Sequence, residues 1–240
     1  KGFFMKIEVW SDFVCPFCYI GKRRLEEALK MSPYGDQVTV EYKAYELDPT
    51  APASTDEKYH ESLARKYGKS EEEALGMMEN MAAQAKTVGL DYNLDALTPA
   101  NTFKAHRLAK FAKTKGLDIE FTERVLRAYF IEGQKIGLDE VLIPLATEVG
   151  LDEAEVKEVL SSNAFEEEVR TDIAEAAQVG VRGVPFFVMD RKYAMSGGQP
   201  AEVFAQAIEK VAQEAGLQPA LQVLGDEDAG GMCADGKCEI

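Results

Sequence analysis

The sequence predicts an α/β protein in which one small α/β unit is interrupted by a long all-helical insertion. Three observations lead there. The first fifty residues pattern as strand, helix, strand; the stretch from Thr55 to Val179 is almost wholly helical; and strand, strand, helix returns after Gly180. With 240 residues the chain is long enough for one sizeable core or a core with an added layer.

The elements follow in order. Met5 to Trp10 reads as a strand, with Ile7 and Val9 on one face and Lys6 and Glu8 on the other. A helix is expected from the first cysteine pair through Leu25, Ala28 and Leu29 to Met31, broken by Ser32-Pro33-Tyr34-Gly35-Asp36. Val38 to Tyr45 is a second strand, and this order implies a parallel pair with a right-handed crossover. In the helical stretch, Gly-Leu-Asp recurs at residues 89–91, 116–118, 137–139 and 150–152. Each unit suits a left-handed glycine after one helix and an aspartate cap before the next. Ser70 with Glu73 forms a capping box, and Thr98-Pro99 is a cap followed by proline at the first helical position. Pro144 predicts a kink or a later helix start. Phe186 to Met189 and Tyr193 to Met195 read as a hairpin. A last helix opens at Pro200, with Val203, Phe204, Ala207, Ile208 and Val211 on one face, and closes at Gly216. The expected division is 5–50 with 181–216 as the α/β unit, 55–178 as the insertion, and 217–240 as a flexible tail.

The net charge of −15 disfavours nucleic acid and anionic membrane as partners. No apolar run approaches the roughly 18 residues of a membrane span, and no signal peptide precedes Met5, which gives an expectation of cytoplasmic residence. The four cysteines fall in two close pairs, Cys15/Cys18 and Cys233/Cys238. Such pairs point to redox or metal chemistry more than to a secreted disulfide framework.

Cys15-Pro16-Phe17-Cys18 sits between a strand and a helix. Disulfide exchange needs a thiolate nucleophile and a second thiol that resolves the mixed disulfide. Pro16 suits the first helical position, which puts Cys15 at the cap and Cys18 one turn inside. Cys15 then faces the unpaired amides and positive dipole end of the helix, both favouring the thiolate. Phe17 offers no hydrogen-bond donor, which points to an intermediate potential. Zinc shared with Cys233 and Cys238, or an inert buried pair, remain open readings. The wider spacing of the second pair and the strand–helix setting of the first favour redox chemistry.

Gly183-Val184-Pro185-Phe186 precedes a strand. A cis Val184–Pro185 bond would present the Val184 backbone to an extended substrate beside Cys15; a trans proline opening an edge strand is the alternative.

These two motifs resemble the DsbA-like branch of the thioredoxin superfamily. The insertion, the stretch Pro99-Ala100-Asn101-Thr102-Phe103-Lys104-Ala105-His106-Arg107-Leu108, and Ser196-Gly197-Gly198-Gln199-Pro200 are similar to its FrnE-like group. That group is related to 2-hydroxychromene-2-carboxylate isomerases. The resemblance implies a thioredoxin fold with a large helical insertion, Cys15 as nucleophile, Cys18 as resolving thiol and Pro185 as a cis-proline, with Val184 and Phe17 against the substrate. It further implies a cytoplasmic protein disulfide oxidoreductase or isomerase. Its partners would be protein or peptide thiols and disulfides, glutathione included; it would need no bound cofactor or metal, and it would be a monomer or homodimer. Cys233-Ala234-Asp235-Gly236-Lys237-Cys238 matches an extra C-terminal pair in some FrnE-like proteins, which makes Cys233 and Cys238 candidates for auxiliary redox or thiophilic-metal binding.

The isomerase relatives carry serine where Cys15 stands, so two cysteines argue for thiol exchange. A glutathione-dependent isomerase or transferase and a thiophilic-metal-binding protein are the rival functions. His106 reads as a packed or solvated helix residue, and His60 likewise. Glu71-Glu72-Glu73 reads as a solvated first turn, and Met77, Met78 and Met81 as core or groove wall.

Overall fold

The structure, a computed structural model, describes residues 4–221 and the backbone of 232–234 and 237–239. The rest of the expected tail lies outside the described residues. Four strands form the main sheet: β1 (Met5–Ser11), β2 (Val38–Ala44), β3 (Phe186–Met189) and β4 (Tyr193–Ser196), in the order β2-β1-β3-β4. β1 and β2 are parallel, paired Met5 to Val38 through Ser11 to Ala44. β3 runs antiparallel to both β1 and β4. This is the expected thioredoxin fold, with its helical insertion between β2 and β3.

Alternation along β1 sorts its side chains between two layers. Ile7 and Val9, with Phe187 and Met189 of β3, face α1 (Pro16–Met31) and α9 (Ala201–Glu214), where Leu25, Ala28, Phe204, Ile208 and Val211 complete one core. Trp10 and Val188 face the other way, onto Ala176 of α8 (Glu166–Val179). That second layer explains Glu8, which the alternation alone would leave in water. It is buried and accepts from both Arg191 Nε and Nη2. Burial alone would raise its pKa, but Arg191, Lys43 and Lys6 hold it below the usual carboxylate value.

The insertion runs through α2 (Tyr59–Tyr67), α3 (Glu71–Lys86), α4 (Phe103–Thr114), α5 (Asp118–Phe130), α6 (Asp139–Glu148), α7 (Glu153–Ser161) and α8. Its core gathers Met78, Leu108, Phe121, Leu126, Tyr129, Phe130 and Leu145, and continues into Phe13, Tyr19 and Ile20 at the cysteine end of α1.

Part of the predicted punctuation is present. The Ser70–Glu73 capping box forms, Asp152 caps α7, and Gly89, Gly116 and Gly150 adopt positive φ. The other expected aspartate caps do not form: Asp118 and Asp139 are the first residues of α5 and α6, after Leu117 and Leu138, and no helix opens at Asp91. Four further details differ. Thr98-Pro99 opens no helix; α4 begins at Phe103. Asn101 instead ties this segment to residues 49–52, donating to the carbonyls of Pro49 and Ala51 and accepting from Phe103 N–H. Gly137 is no helix stop: the left-handed residue is Gly133, whereas a Cβ on Gly137 would lie 2.0 Å from the Ala53 carbonyl. α6 starts five residues ahead of Pro144, so of the two expectations the later start is not taken; Glu140, whose carbonyl the proline leaves without a helical partner, is an exposed residue. Val203 stands off the buried face of α9 and is exposed, while Phe204, Ile208 and Val211 are buried.

Candidate active site

β1 delivers the chain to the site. Its last residue, Ser11, leads into Asp12-Phe13-Val14, and Cys15 N–H closes a turn onto the Asp12 carbonyl at 3.2 Å. Cys15 is the N-cap of α1 with extended backbone (φ −89°, ψ 114°), and Pro16 follows at the first helical position. Cys18 donates its N–H to the Cys15 carbonyl at 3.1 Å, so one turn separates the two thiols. Both are free and buried, at 5% and 2% exposure. Tyr92 reaches over from the insertion and donates its hydroxyl to the Pro16 carbonyl at 2.7 Å. Its ring stacks on Phe130, 4.6 Å between centroids.

The Val184–Pro185 peptide bond is cis. The Cys15 thiol points at the Val184 carbonyl, with Sγ 3.5 Å from the oxygen. It makes no side-chain cap to the first-turn amides of α1, contrary to the expectation from the cap position. A protonated thiol is a donor, and the Val184 carbonyl is the acceptor within its reach. Pro185 is held from two sides. Its carbonyl accepts from Gly197 N–H at 2.8 Å, and its ring packs against α1 at Gly21. A groove beside Val184 and Pro185 is lined by Gly180, Arg182, Gly183, Phe186, Ser196 and Gly197. Phe17 is half-buried next to the pair, and Val184 is half-buried across from it. The groove is thus built by the segment from the C-cap of α8 to Pro185 and by the adjoining ends of β3 and β4.

The two thiols differ in electrostatics. Burial pushes the Cys18 thiol well above its ordinary value, and the neighbouring Cys15 sulfur adds to the shift. Ser11, through its side chain, and Asp12, through its backbone, act in the opposite sense. Cys18 therefore keeps its proton in the reduced pair.

Sequence reasoning missed Asp12. It is 2% exposed and saturated with donors: Phe13 N–H (2.9 Å) and His106 Nε2 (3.0 Å) to Oδ1, and Leu47 N–H (2.9 Å) to Oδ2. His106, at 4% exposure, is packed as one of its expected readings had it, but against this carboxylate. Ninety-four positions separate the two residues, and no local pattern links them. Cys233 and Cys238 face each other in the register of a short ladder between β5 (Met232–Ala234) and β6 (Lys237–Glu239). Among the described residues no cluster of three or more metal-ligating side chains occurs, and no helix is long and apolar enough to cross a membrane.

A model of the DSBA-like thioredoxin domain matches residues 6–209. The chain is 31% identical over 204 residues to the uncharacterized protein YwbO of Bacillus subtilis (strain 168), covering 84% of this chain and 94% of that one. It is also similar to the crystal structure of a probable DsbA oxidoreductase from Streptomyces coelicolor: 39% identity, TM-score 0.83, covering 98% and 99% of the two chains. The cytosolic disulfide reductase DsbM from Pseudomonas aeruginosa, solved with GSH, shares the fold at 19% identity and TM-score 0.56, with 87% and 99% covered.

Proposed function

Because the chain belongs to the DsbA-like thioredoxin family, whose members are oxidoreductases or isomerases, we propose that it exchanges thiols and disulfides on proteins or peptides through Cys15 and Cys18. The observation that carries this reading is a pair of free thiols one helical turn apart, the outer at the cap of α1 and aimed at the Val184 carbonyl.

Cys15 is the nucleophile. As the thiolate it attacks a substrate disulfide, forming a Cys15–substrate disulfide and expelling one substrate thiolate. Cys18 then gives up its proton and attacks the Cys15 sulfur, which forms the Cys15–Cys18 disulfide and releases the second substrate thiolate. In the opposite direction a substrate thiolate attacks the Cys15–Cys18 disulfide. Val184 offers backbone groups to an extended substrate by strand addition, Pro185 shapes that edge, and Phe17 supplies apolar contact. Arg182 in the adjoining groove suits a substrate acidic group. The cysteine usage, two close pairs and no dispersed framework, supports a reducing compartment, the cytoplasm.

Cys233 and Cys238 are an auxiliary pair in this reading. Ala220 N–H is tied to the Pro33 carbonyl, just beyond the far end of α1. From there the cysteine end is about 24 Å away along a helix of 16 residues. The roughly 12 residues from Leu221 to Cys233 can extend about 40 Å. Electron transfer to or from Cys15 is therefore within reach of the chain.

The test is dithiol titration in glutathione buffers, with turnover of a disulfide peptide. Cys15→Ser should abolish exchange, Cys18→Ser should accumulate a mixed disulfide at Cys15, and Cys233→Ser should alter the rate of re-reduction. Full activity in Cys15→Ser sinks the proposal.

A further inference from the structure

The groove beside the cis Val184–Pro185 bond is walled largely by bare backbone. It holds about 480 Å³, inside the roughly 300–1,000 Å³ of ligand clefts. Three of its lining residues are glycines, and a Cβ added at Gly180, Gly183 or Gly197 would meet no atom within 4 Å. The N–H groups of Arg182, Gly183 and Val184 donate to no backbone acceptor among the described residues. The Val184 side chain packs against Trp10, Ala176, Val181 and Val188, which leaves its main chain to the groove. Such an edge takes an extended chain by strand addition. Because the Val184 carbonyl lies 3.5 Å from Cys15 Sγ, the reacting cysteine of that chain has to lie beside Val184.

One charged side chain lines this groove, Arg182. The other arginines around the sheet and α1 are matched: Arg191 by Glu8 and Glu175, Arg23 by Glu26 and Glu123, Arg24 by the Gly198 carbonyl. Arg182 is exposed and has no hydrogen bond or ion pair among the described residues. No carboxylate lines the groove, and Glu175, the acidic residue closest before it in the chain, is held by Arg191 and Lys43. The chain carries 42 acidic residues against 27 basic ones. With that surplus, a guanidinium left unmatched on a groove wall is open to a carboxylate brought from outside, which its planar fork can take in bidentate fashion.

We infer that Arg182 selects the substrate: the segment that adds to Val184 carries an aspartate or glutamate two or three residues to one side of the cysteine that Cys15 attacks. The inference deepens the thiol-exchange reading above and rests on it. Arg182 lies two residues before Val184, about 7 Å along an extended chain, so one flank of the bound segment passes the guanidinium. The other flank runs toward Phe186 and its register partner Ser196, where no cation lines the groove. The partner so described is an acidic, cysteine-bearing segment of a protein or peptide. The net charge of −15 repels such a segment at long range, so its capture depends on a carboxylate at the right place, and that is what makes the contact selective.

The test uses the reduced full chain in a Cys233→Ser/Cys238→Ser background. The substrates are extended peptides with one central cysteine, each joined in a disulfide to an aromatic thiol whose thiolate is coloured. Attack of the Cys15 thiolate on the peptide sulfur forms the Cys15–peptide disulfide and releases the coloured thiolate. Two peptides carry glutamate two and three residues from the cysteine, one on the amino side and the other on the carboxyl side, and each has a glutamine twin. One glutamate peptide should react about fivefold faster than its twin in second-order rate, the upper end for an exposed ion pair; the other should not exceed its twin. Arg182→Gln should bring the favoured ratio to one or below, and Arg182→Glu should invert it. Equal rates for both glutamate peptides and their twins in the parent chain overturn the inference. So does an equal preference on both flanks, the mark of diffuse attraction, or a ratio that Arg182→Gln leaves in place. Cys15→Ser keeps the two levels apart. It should end release from all four peptides, and release that persists brings down the exchange reading; release that ends, with no glutamate preference in the parent chain, brings down this inference alone.

Discussion

Gly21 lies one turn into α1 beyond Cys18, where the helix meets the Pro185 loop. A Cβ at this position would stand 3.2 Å from Pro185 Cγ, 3.4 Å from Phe187 Cζ and 3.5 Å from Gly198 Cα. Gly21→Ala sets two effects against each other. Alanine gains about 1 kcal/mol of helix propensity. Overpacking a filled contact costs about 1–3 kcal/mol, because Pro185 has to retreat by a few tenths of an ångström. Pro185 has little freedom to do so, since its carbonyl is bound to Gly197 N–H. The net expectation is a destabilisation of about 0–2 kcal/mol, a drop in Tm of up to about 8 °C for a chain of this size. The functional cost is separate. Val184, next in the chain, sits 3.5 Å from Cys15 Sγ. A displacement of about 1 Å costs roughly a hundredfold in rate, so a few tenths should cost about fourfold in kcat/KM for a disulfide peptide. Urea unfolding and steady-state exchange on the same preparation test both numbers. Gly21→Ala with about 1 kcal/mol more stability and an unchanged rate would refute the reasoning, since it would mean that the Pro185 contact is slack.

Three further outcomes are expected. Asp172 of α8 caps the outer edge of β2, accepting from Ala44 N–H at 2.8 Å and pairing with Lys110. Asp172→Ala leaves a buried amide and a largely buried ammonium without partners and should cost about 3–5 kcal/mol in urea unfolding, whereas Asp172→Asn, which keeps the acceptor, should cost less. Glu41 would be raised by burial, but Lys113, Lys6 and Lys43 bring it down to about 2 from 4.5. A depressed folded-state pKa contributes stability that is fully present above about 4.5 and is lost as pH falls toward 2. The shift bounds this at about 3 kcal/mol, and solvent screening reduces it to about 1–2; Glu41→Gln should flatten the acid limb of the stability profile by that amount. Glu123 of α5 accepts from Lys22 at 3.0 Å and from Arg23 of α1, and Lys22 is itself buried. Glu123→Gln should loosen the α1–α5 junction by about 1–3 kcal/mol, read as a fall in urea midpoint that is not recovered at high salt.

What was legible in the sequence is what is determined locally. Proline after Cys15 marks a helix start within four residues, and the alternation of Ile7 and Val9 marks a strand within six, so the cysteine cap and the sheet were open to reading. The Ser70–Glu73 box and the Asp152 cap are likewise contained in a single turn. What escaped is set by contacts across the chain. Glu8 looked solvated until α8, more than 150 residues later, covered its face and Arg191 paired it. Asp12 carried no signal, because its meaning comes from His106 on a helix of the insertion and from Leu47 after β2. Thr98-Pro99 has the local chemistry of a helix start, but Asn101 binds the 49–52 backbone and holds the segment out of the helix. Gly137 shares its tripeptide with true helix stops and differs from them only through the approach of Ala53. Pair spacing alone could not place Cys233 and Cys238 relative to Cys15.

α1 belongs to two cores at once: Tyr19 and Ile20 pack among the inserted helices, while Leu25 and Ala28 pack on the sheet. The cysteine end of this helix is thus roofed by one module and its remote end anchored by the other. Trimming the protein to a minimal sheet unit would strip cover from the cysteines first, whereas damage at the far edge of the sheet would leave them sheltered. Thiol reactivity should therefore serve as a native reporter on the health of the inserted layer, accelerating under mild denaturant before the sheet itself gives way.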